Sequence, residues 1–291
     1  MQATIKFKRL AIIGVGLIGG SLARAVRQAG ACAEIIGCGR DVAHLKKAVA
    51  SGVIDRYETD IALAVKGADI VVAAVPLGAM AAVFKEMLPH LSPEATITDV
   101  GSAKSSVVND ARASLGDRFS SFVPGHPIAG TEKSGVEASS AGLFINHCVI
   151  LTPLAETSPL ALQRVHALWK YAGADVVEME PLHHDEVLAA TSHLPHVLAY
   201  SLVDTLARMD TNEEIFRFAA GGFRDFTRIA SSDPVMWSDI CLSNKDALLK
   251  MIGEFDGQLK ILTEAIRNND NNAIIQIFSR AKQVRDRILK K

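Results

Sequence analysis

Histidine 126 lies in the segment VPGHPIAGTEKSG, residues 123–135, directly after a short apolar run. An imidazole that titrates near neutrality can accept the proton of a hydroxyl group, which suits it to general base catalysis. A single histidine beside a proline is by itself more typical of a structural hydrogen bond. Its place at the end of a predicted strand, where open α/β sheets bind their ligands, favours the catalytic interpretation.

A second polar segment, DVGSAK at residues 99–104, follows the preceding predicted strand. Ser102 in this segment is a candidate to hydrogen-bond His126 or a substrate. The alternative is that Gly101 and Ser102 only form a helix-entry turn with a capping hydroxyl.

Two histidines of the segment TSHLPH, His193 and His196, are three residues apart and share one face of a predicted helix. Zinc would need further ligands, and no acidic or thiol cluster near them in the sequence completes a site. We therefore predict no metal. The pair His183 and His184, like the basic tail at 285–291, is predicted to be exposed and without a role.

The segment GGFRDFTRIASSDPVMW, residues 221–237, interrupts the helical pattern and is predicted to be a loop. Loops often carry functional residues. Arg224 and Arg228 are the nearest cations for a carboxylate, and a bidentate arginine is the usual partner of an anionic substrate. The alternative is that either arginine is a solvated surface side chain.

The sequence GVGLIG, residues 14–19, follows the apolar run LAII and opens a predicted helix. In that context a G-x-G-x-x-G pattern predicts a dinucleotide-binding turn. Gly14 permits the tight turn, Gly16 lets the backbone approach a pyrophosphate, and Gly19 allows close packing of helix on strand. The residues expected to line this cofactor site are Gly14, Gly16, Leu17, Ile18, Gly19, Gly39, Arg40, Asp41, Val75, Pro76 and Asp99.

The end of the second predicted strand, Cys38-Gly39-Arg40-Asp41, bears on which dinucleotide binds. NAD enzymes usually place Asp or Glu there for the ribose 2′-hydroxyl, whereas an arginine suits the 2′-phosphate of NADP. If Gly39 holds the acidic position, the carboxylate is missing and Arg40 can pair with a phosphate. Asp41 is an alternative ribose ligand, or the N-cap of the next helix. The pattern slightly favours NADP and leaves NAD or dual use open.

Short apolar runs alternate with amphipathic stretches from Lys8 to about Met179. This pattern predicts an α/β fold with a Rossmann-like, doubly wound and mostly parallel sheet. Strands are predicted at RLAIIG, AEIIGC, DIVVAAV, ATITDV, SFVPG, HCVILT and DVVEM. Helices are predicted to begin near Leu17, Asp41, Leu77, Ser105 and Ser158.

After Pro181 the periodicity is helical to the C-terminus. We therefore predict a dinucleotide-binding domain over residues 1–180 and an all-helical substrate and dimerisation domain over 181–291. An apolar stripe recurs along one long predicted helix: Leu248, Ile252, Phe255, Leu259, Leu262 and Ile266. Such a stripe is typical of a core, and so long a helix in a small domain favours a homodimer.

Composition excludes several classes of protein. The formal net charge is −1 and no long Lys/Arg run occurs, so the chain lacks the clustered positive charge that nucleic acid requires. The 4 cysteines form no C-x-x-C pair, which favours reduced thiols and a cytoplasmic location. Glycines break the N-terminal apolar run and Asp69, Pro76 and Gly78 break the run at 68–83, so neither a signal peptide nor a membrane span is predicted.

Five segments together resemble the prephenate/arogenate dehydrogenase family, in order and spacing, over nearly the whole chain: GVGLIGGS, DVGSAK, GHPIAGTEKSG, SHLPH and GGFRDFTRIASSDPVMW. The resemblance implies an active site in the cleft between a Rossmann-like domain and a helical dimerisation domain. It also implies that His126 is the catalytic histidine, with Ser102 near it. The substrate contacts that it implies are His193, Arg228, Thr131 and Trp237.

The implied reaction is NAD(P)-dependent oxidation of prephenate or arogenate, giving 4-hydroxyphenylpyruvate or tyrosine. Hydride would leave the ring carbon that bears the hydroxyl, His126 would take the hydroxyl proton, and the ring carboxylate would leave as CO2. No fused chorismate mutase or ACT domain is expected, so feedback by tyrosine would act at the active site. Two alternatives stay open: a β-hydroxy acid dehydrogenase, and a nicotinamide-sensing protein without turnover.

Overall fold

The computed structural model describes residues 5–130 and 133–288, without the side chain of Asn212. Contacts between residues divide the chain into two compact units, residues 1–244 and residues 245–291. The division predicted at residue 180 follows a change of element type, from strands to helices, and stays a proposal.

A parallel sheet of six strands forms the base of the first unit, in the order β3-β2-β1-β4-β5-β6. The strands are β1 Phe7–Ile13, β2 Cys32–Cys38, β3 Arg56–Glu58, β4 Ile70–Ala73, β5 Thr96–Asp99 and β6 Phe122–Val123. In β1, Leu10 and Ile12 belong to one buried apolar cluster, and Ala11 and Ile13 to another. Both faces of the sheet are therefore covered, as apolar runs without alternation lead one to expect.

Five helices join these strands: α1 Leu17–Gln28, α2 Val42–Ala50, α3 Ile61–Val65, α4 Met80–Met87 and α5 Ser105–Leu115. The carboxylates of Asp41 and Asp60 accept backbone N–H groups at the starts of α2 and α3. This strand order with helices on both faces is the doubly wound Rossmann arrangement, so the predicted fold class is confirmed. The sequence patterns missed β3 and α3, which are three and five residues long.

A second, smaller sheet follows, in the order β7-β8-β9. Its strands are β7 Gly125–Pro127, β8 Cys148–Leu151 and β9 Asp175–Glu178, and α6 Pro159–Tyr171 precedes β9. Strand β7 runs antiparallel to β8, with His126 opposite Ile150. His126 thus lies on a strand with defined register, a few residues beyond the end of β6.

The rest of the first unit is helical: α7 Pro181–Leu188, α8 Leu194–Ala207, α9 Asn212–Arg217, α10 Gly221–Thr227 and α11 Pro234–Ser243. A π-helical turn, Ala189–His193, joins α7 to α8. The segment 221–237 is not the loop that its composition predicts, because α10, a 3₁₀ turn at Arg228–Ser231 and α11 occupy most of it. Asp233 caps α11 through the N–H of Met236, which explains how so polar a segment becomes helical.

The second unit consists of α12 Lys245–Arg267 and α13 Asn271–Ile288, which contact each other. The long predicted helix that carries the apolar stripe is α12, and it begins at Lys245, directly after the C-cap of α11 at Asn244. The predicted apolar stripe is not a core within the chain, since Leu248 is buried whereas Phe255, Leu259 and Ile266 are exposed. Across the described residues, no helix is long and apolar enough to cross a membrane.

Candidate active site

The glycine turn, residues 14–19, connects β1 to α1 at the carboxyl end of the sheet. Gly14 has φ +97°, and a Cβ there would overlap the carbonyl of Ala74. A Cβ on Gly19 would overlap the Gly14 carbonyl, whereas one on Gly16 would meet nothing within 4 Å. Two of the glycines are therefore needed for packing, and the third faces open space, as an approaching pyrophosphate requires.

The first turn of α1 is suited to bind an anion. Gly16 is its N-cap and supplies no capping side chain, and the first turn carries no acidic residue. The first N–H groups of a helix lack partners within the helix and carry its positive dipole end. Leu17 and Ile18, both half-buried, form this first turn. The turn fits a dinucleotide phosphate.

At the end of β2, the Asp41 carboxylate accepts the N–H groups of Ala43 and His44 as the N-cap of α2. Because the Asp41 carboxylate already caps α2, the structure favours the helix cap over the ribose ligand as the interpretation of this residue. Arg40 is exposed, and Gly39 leaves no carboxylate between Cys38 and Arg40. The end of β2 therefore carries an exposed arginine and no acidic residue at positions 39 and 40.

Three other predicted cofactor residues follow neighbouring strands. Val75, half-buried, and Pro76, exposed, lie directly after β4. Asp99 is fully buried, and its carboxylate pairs with Lys104 and accepts the N–H groups of Gly101 and Gly125. These contacts place the Asp99 side chain beneath the site, so its assignment to the cofactor gains no support from the structure.

His126 is 8% exposed, and its Nδ1 lies 2.9 Å from Nε2 of His184. His184 is fully buried, so the prediction that it is exposed was wrong. Its Nδ1 lies 2.9 Å from Oδ1 of Asp185. The burial arises because the first turns of α7 and α5 pack together: Asp185 accepts the N–H groups of Lys104 and Ser105, both at 2.8 Å.

Beneath this chain lies a buried ion pair. Nζ of Lys104 pairs with Asp99 and donates to the carbonyl oxygen of Gly125 at 2.7 Å, next to His126. Burial lowers the pKa of Lys104, although the Asp99 carboxylate opposes the shift. The pair fixes the end of β5 to the start of β7 and so positions the backbone that carries His126.

Burial lowers the pKa of His126 well below its ordinary value, and nearby His184, Lys104 and His193 add to the shift. Burial also lowers the pKa of His184, against the influence of Asp185. A buried imidazole without a close carboxylate of its own is neutral at physiological pH. His126 is therefore in the form that can accept a proton.

His193 lies at the end of the π-helical turn and is 1% exposed. Its Nδ1 lies 3.0 Å from Nδ2 of Asn244, which also donates to the backbone carbonyl of Asp185 at 2.8 Å. Its Nε2 is buried and has no hydrogen-bond partner in the described part of the chain. Burial lowers the pKa of His193 to about 4. We call His126, His184, Asp185, His193 and Asn244 the histidine cluster.

Trp237 contacts both histidines of the SHLPH segment. Its ring stacks on His196 with centroids 3.6 Å apart and meets His193 edge-on at 6.1 Å. Trp237 is 8% exposed, and its Nε1 has no partner among the residues described. In α11, which carries Trp237, Asp239 accepts the N–H of Gly78 at 3.3 Å, so this helix reaches the loop after β4.

Three of the remaining predicted residues lie in the described ranges: Ser102, Arg224 and Arg228. Arg228 starts the 3₁₀ turn that packs on α8, and its side chain is exposed. Ser102 is half-buried in the loop after β5, and the structure shows no hydrogen bond between it and His126. Thr131 lies outside the described residues. Arg224 is exposed on α10.

Sequence reasoning missed His184, Asp185 and Asn244 and found His126 and His193. The available signal was weak: Asp185 follows a histidine near the start of a predicted helix, a common surface pattern. No group of three or more His, Cys, Asp or Glu side chains in the described ranges is arranged to hold a metal ion.

Comparison with known families decides the affiliation. Residues 22–178 match the family model described as prephenate dehydrogenase, nucleotide-binding domain, and residues 180–280 match prephenate dehydrogenase, dimerization domain. The chain belongs to the prephenate dehydrogenase family. The resemblance found in the sequence motifs is thereby confirmed, and with it the expectation of an oxidoreductase.

Two curated relatives are each 40% identical to the chain. The cyclohexadienyl dehydrogenase of Zymomonas mobilis aligns over 283 residues, 96% of this chain and 95% of its own length. The prephenate dehydrogenase of Bacillus subtilis aligns over 278 residues, 94% of this chain and 74% of its own length.

Two solved structures superpose closely on this chain. Prephenate dehydrogenase from Aquifex aeolicus, in complex with hydroxyphenyl propionate and NAD+, superposes with a TM-score of 0.90 at 40% identity and covers 97% of this chain and 98% of its own. The arogenate dehydrogenase of Synechocystis has a TM-score of 0.81 at 29% identity and covers 96% and 99%.

Proposed function

We propose that this protein oxidises and decarboxylates prephenate, arogenate or both with a nicotinamide dinucleotide, in the biosynthesis of tyrosine. One observation carries the proposal: His126 is buried, which lowers its pKa, and its Nδ1 is engaged by His184, which leaves Nε2 to meet a substrate. Relatives named for prephenate, arogenate and cyclohexadienyl substrates support the choice of substrate class.

The glycine turn would hold the pyrophosphate of the dinucleotide, with Gly16 admitting the backbone and α1 supplying N–H groups. The bound nicotinamide would supply the hydride acceptor for the ring carbon that bears the hydroxyl. His126 would accept the hydroxyl proton as that hydride leaves. The electron pair of the breaking carbon–carbon bond then enters the ring as CO2 departs, and the phenolate oxygen can take the proton back from His126.

Arg228 would hold the side-chain carboxylate of the substrate, since a guanidinium offers two parallel N–H donors. His193 and Trp237 would line the substrate region, since both are buried and their rings contact each other. Ser102 would bind the ring hydroxyl next to His126. The hydroxyphenyl propionate bound by the Aquifex aeolicus relative, a phenol with a carboxylate arm, supports this chemistry.

We propose NADP as the preferred dinucleotide, with NAD as the second cofactor. Arg40 is exposed at the end of β2, Gly39 provides no carboxylate, and Asp41 is occupied as a helix cap. A 2′-phosphate beside Arg40 would therefore meet a guanidinium.

We propose a homodimer formed through the C-terminal helices. The match to a dimerization domain supports it, and so do the exposed apolar side chains of α12 and α13. Ile266, Ile275 and Phe278 are each more than half exposed, an exposure that a partner would remove. A cytoplasmic location is proposed from the 4 free thiols.

A matrix of steady-state rates tests the proposed function: prephenate and arogenate, each with NAD and with NADP, and simple β-hydroxy acids as the control. We expect reduced cofactor and CO2 in equal amounts with at least one cyclohexadienyl substrate. Turnover of β-hydroxy acids alone would favour a β-hydroxy acid dehydrogenase. Cofactor binding without any turnover would favour a sensing protein.

A further inference from the structure

We propose that Asp185 fixes the tautomers of two histidines in opposite senses, so that His126 presents a hydrogen-bond acceptor to the substrate and His193 presents a donor. Asp185 and His184 are then positioning residues, and neither has to touch the substrate. This inference rests on the proposed function for its chemical meaning, but the hydrogen-bond directions stand on the geometry alone.

The first branch runs through the Asp185 side chain. Hydrogen bonds from His184, Ser105 and Lys104 overcome the effect of burial and hold the pKa of Asp185 below its ordinary value, so its carboxylate only accepts. His184 must therefore carry its hydrogen on Nδ1, which leaves Nε2 with a lone pair. His126 faces that lone pair with Nδ1 at 2.9 Å, so its hydrogen lies on Nδ1 and its Nε2 is free to accept.

The second branch runs through the Asp185 backbone. A carbonyl oxygen only accepts, so the Asn244 atom 2.8 Å from it must be the amide nitrogen. The same nitrogen lies 3.0 Å from Nδ1 of His193, which must then be the acceptor. A neutral His193 therefore carries its hydrogen on Nε2, the buried atom that lacks a partner in the described structure.

Burial lowers the pKa of both histidines and so keeps them neutral, which a fixed tautomer requires; Asp185 opposes this shift at His193. Lys104 faces His126 from the segment before α5, His184 faces it from α7, and His193 from the π-helical turn. Lys104 is itself paired with Asp99, so no unbalanced cation adjoins the chain. As a result, Nε2 of His126 is a hydrogen-bond acceptor and Nε2 of His193 is a donor, and both assignments follow from contacts with Asp185.

Imidazole nitrogen-15 shifts, measured on the intact protein with labelled histidine, report tautomers directly. His126→Asn and His193→Gln assign the two resonances by subtraction. We expect wild-type His126 with its hydrogen on Nδ1 and His193 with its hydrogen on Nε2. In Asp185→Ala, no side-chain oxygen accepts from Nδ1 of His184, so His126 should lose its single tautomer. A wild-type His126 with hydrogen on Nε2, or no change in Asp185→Ala, would overturn the proposal.

A matched pair at position 184 tests the effect on rate. His184→Gln keeps an acceptor near the position of Nε2, whereas His184→Leu removes it. We expect His184→Leu to lower kcat by about 100-fold with little change in the KM for the substrate, and His184→Gln to recover most of the loss. Equal losses in the two variants would reduce His184 to a packing residue and overturn its positioning role.

Two controls separate the possible failures. Asn244→Leu should release the tautomer of His193 and leave that of His126 unchanged, since only the second branch is cut. Asp55→Asn removes a carboxylate that accepts the N–H of Ile35, far along the chain from the cluster, and should leave the kcat and both tautomers unchanged. If the wild type turns over neither substrate, the proposed function fails while the nitrogen shifts still test the tautomers.

Discussion

The glycine turn and the histidine cluster, which the proposed function places in one active site, are built by opposite means. In the turn, function depends on missing side chains, because Gly14 and Gly19 have no room for a Cβ and α1 offers bare N–H groups. In the cluster, function depends on buried side chains whose hydrogen bonds run in one direction. We therefore expect the turn to lose function when a side chain is added to a glycine. We expect the cluster to lose function when a hydrogen-bond partner is removed or its donor and acceptor roles are reversed.

The largest effect should come from Gly14→Ala. The residue has φ +97°, and the new methyl would overlap the Ala74 carbonyl, so backbone strain and steric overlap add. We expect the free energy of unfolding to fall by about 3 kcal/mol or more. We also expect the dinucleotide to bind more weakly. Urea denaturation and cofactor titration measure the two losses.

Gly16→Ala is the matched variant, since a Cβ there meets nothing within 4 Å. It should leave the free energy of unfolding nearly unchanged and weaken dinucleotide binding about tenfold, or about 1.4 kcal/mol. Equal stability losses for the two variants, or unchanged affinity in Gly16→Ala, would contradict the division of roles within the turn.

Arg228→Ala comes next in size. If the guanidinium makes a charge-assisted pair with the substrate carboxylate, its loss should raise the KM by roughly 10-fold to 100-fold, or about 1.5–3 kcal/mol, and change kcat less. Arg224→Ala, in the neighbouring turn of the same segment, is the control and should change KM less than about twofold. An unaltered KM in Arg228→Ala would remove this residue from the substrate site.

A pH effect on stability should distinguish the cluster from the turn, which has no titrating group. Folding lowers the pKa of His193 from 6.5 to about 4. Between pH 6.5 and pH 4 the unfolded chain therefore binds a proton at this residue that the folded protein does not bind. Its contribution to stability is full above pH 6.5 and falls with acidification until about pH 4. We expect a loss of about 1.5 kcal/mol between pH 6.5 and pH 5 from this residue, and the pKa of His126 shifts in the same direction.

Urea denaturation at both pH values measures this loss in the wild type and in His193→Gln, which cannot titrate. The slope of stability against pH should be smaller in the variant by that amount. Parallel slopes in the two proteins would show that His193 is not buried as a neutral ring.

The smallest effect concerns cofactor choice at the edge of the turn. Arg40→Ala should weaken NADP binding by roughly fivefold, about 1 kcal/mol, because the side chain is exposed and the pairing is screened by solvent. NAD affinity should not change, since NAD lacks the 2′-phosphate. Equal effects on both dinucleotides would indicate that Arg40 does not recognise that phosphate.

Most of the fold follows from local sequence. The strands β1, β2, β4 and β5 are apolar runs bounded by turns, and Gly14 to Gly19 carry their own structural reasons. The short β3 and α3 escape such patterns because three and five residues hold too little periodicity. The composition of the segment 221–237 predicts a loop, but the segment is mostly helical because a helix cap and packing on α8 outweigh its weak helix propensity.

The site was predictable only where one segment carries the chemistry. His126 follows a strand in a distinctive motif, but its partner His184 is 58 residues away in sequence, and only tertiary packing brings the two together. Nothing local distinguishes buried His184 from exposed His183. Likewise, the exposure of Phe255 and Leu259 cannot be inferred from their spacing, because an apolar stripe looks alike whether it faces its own chain or a partner.

The most direct test of His126 as proton acceptor is the pH dependence of kcat/KM for the preferred cyclohexadienyl substrate, in the wild type and in His126→Asn. The lowered pKa of His126 predicts that wild-type kcat/KM stays constant from neutrality to well below pH 6.5 before it falls. His126→Asn should be slower by about 100-fold or more, lack that acid limb, and bind the dinucleotide as tightly as the wild type. A variant that keeps the wild-type rate and the same acid limb would contradict the account.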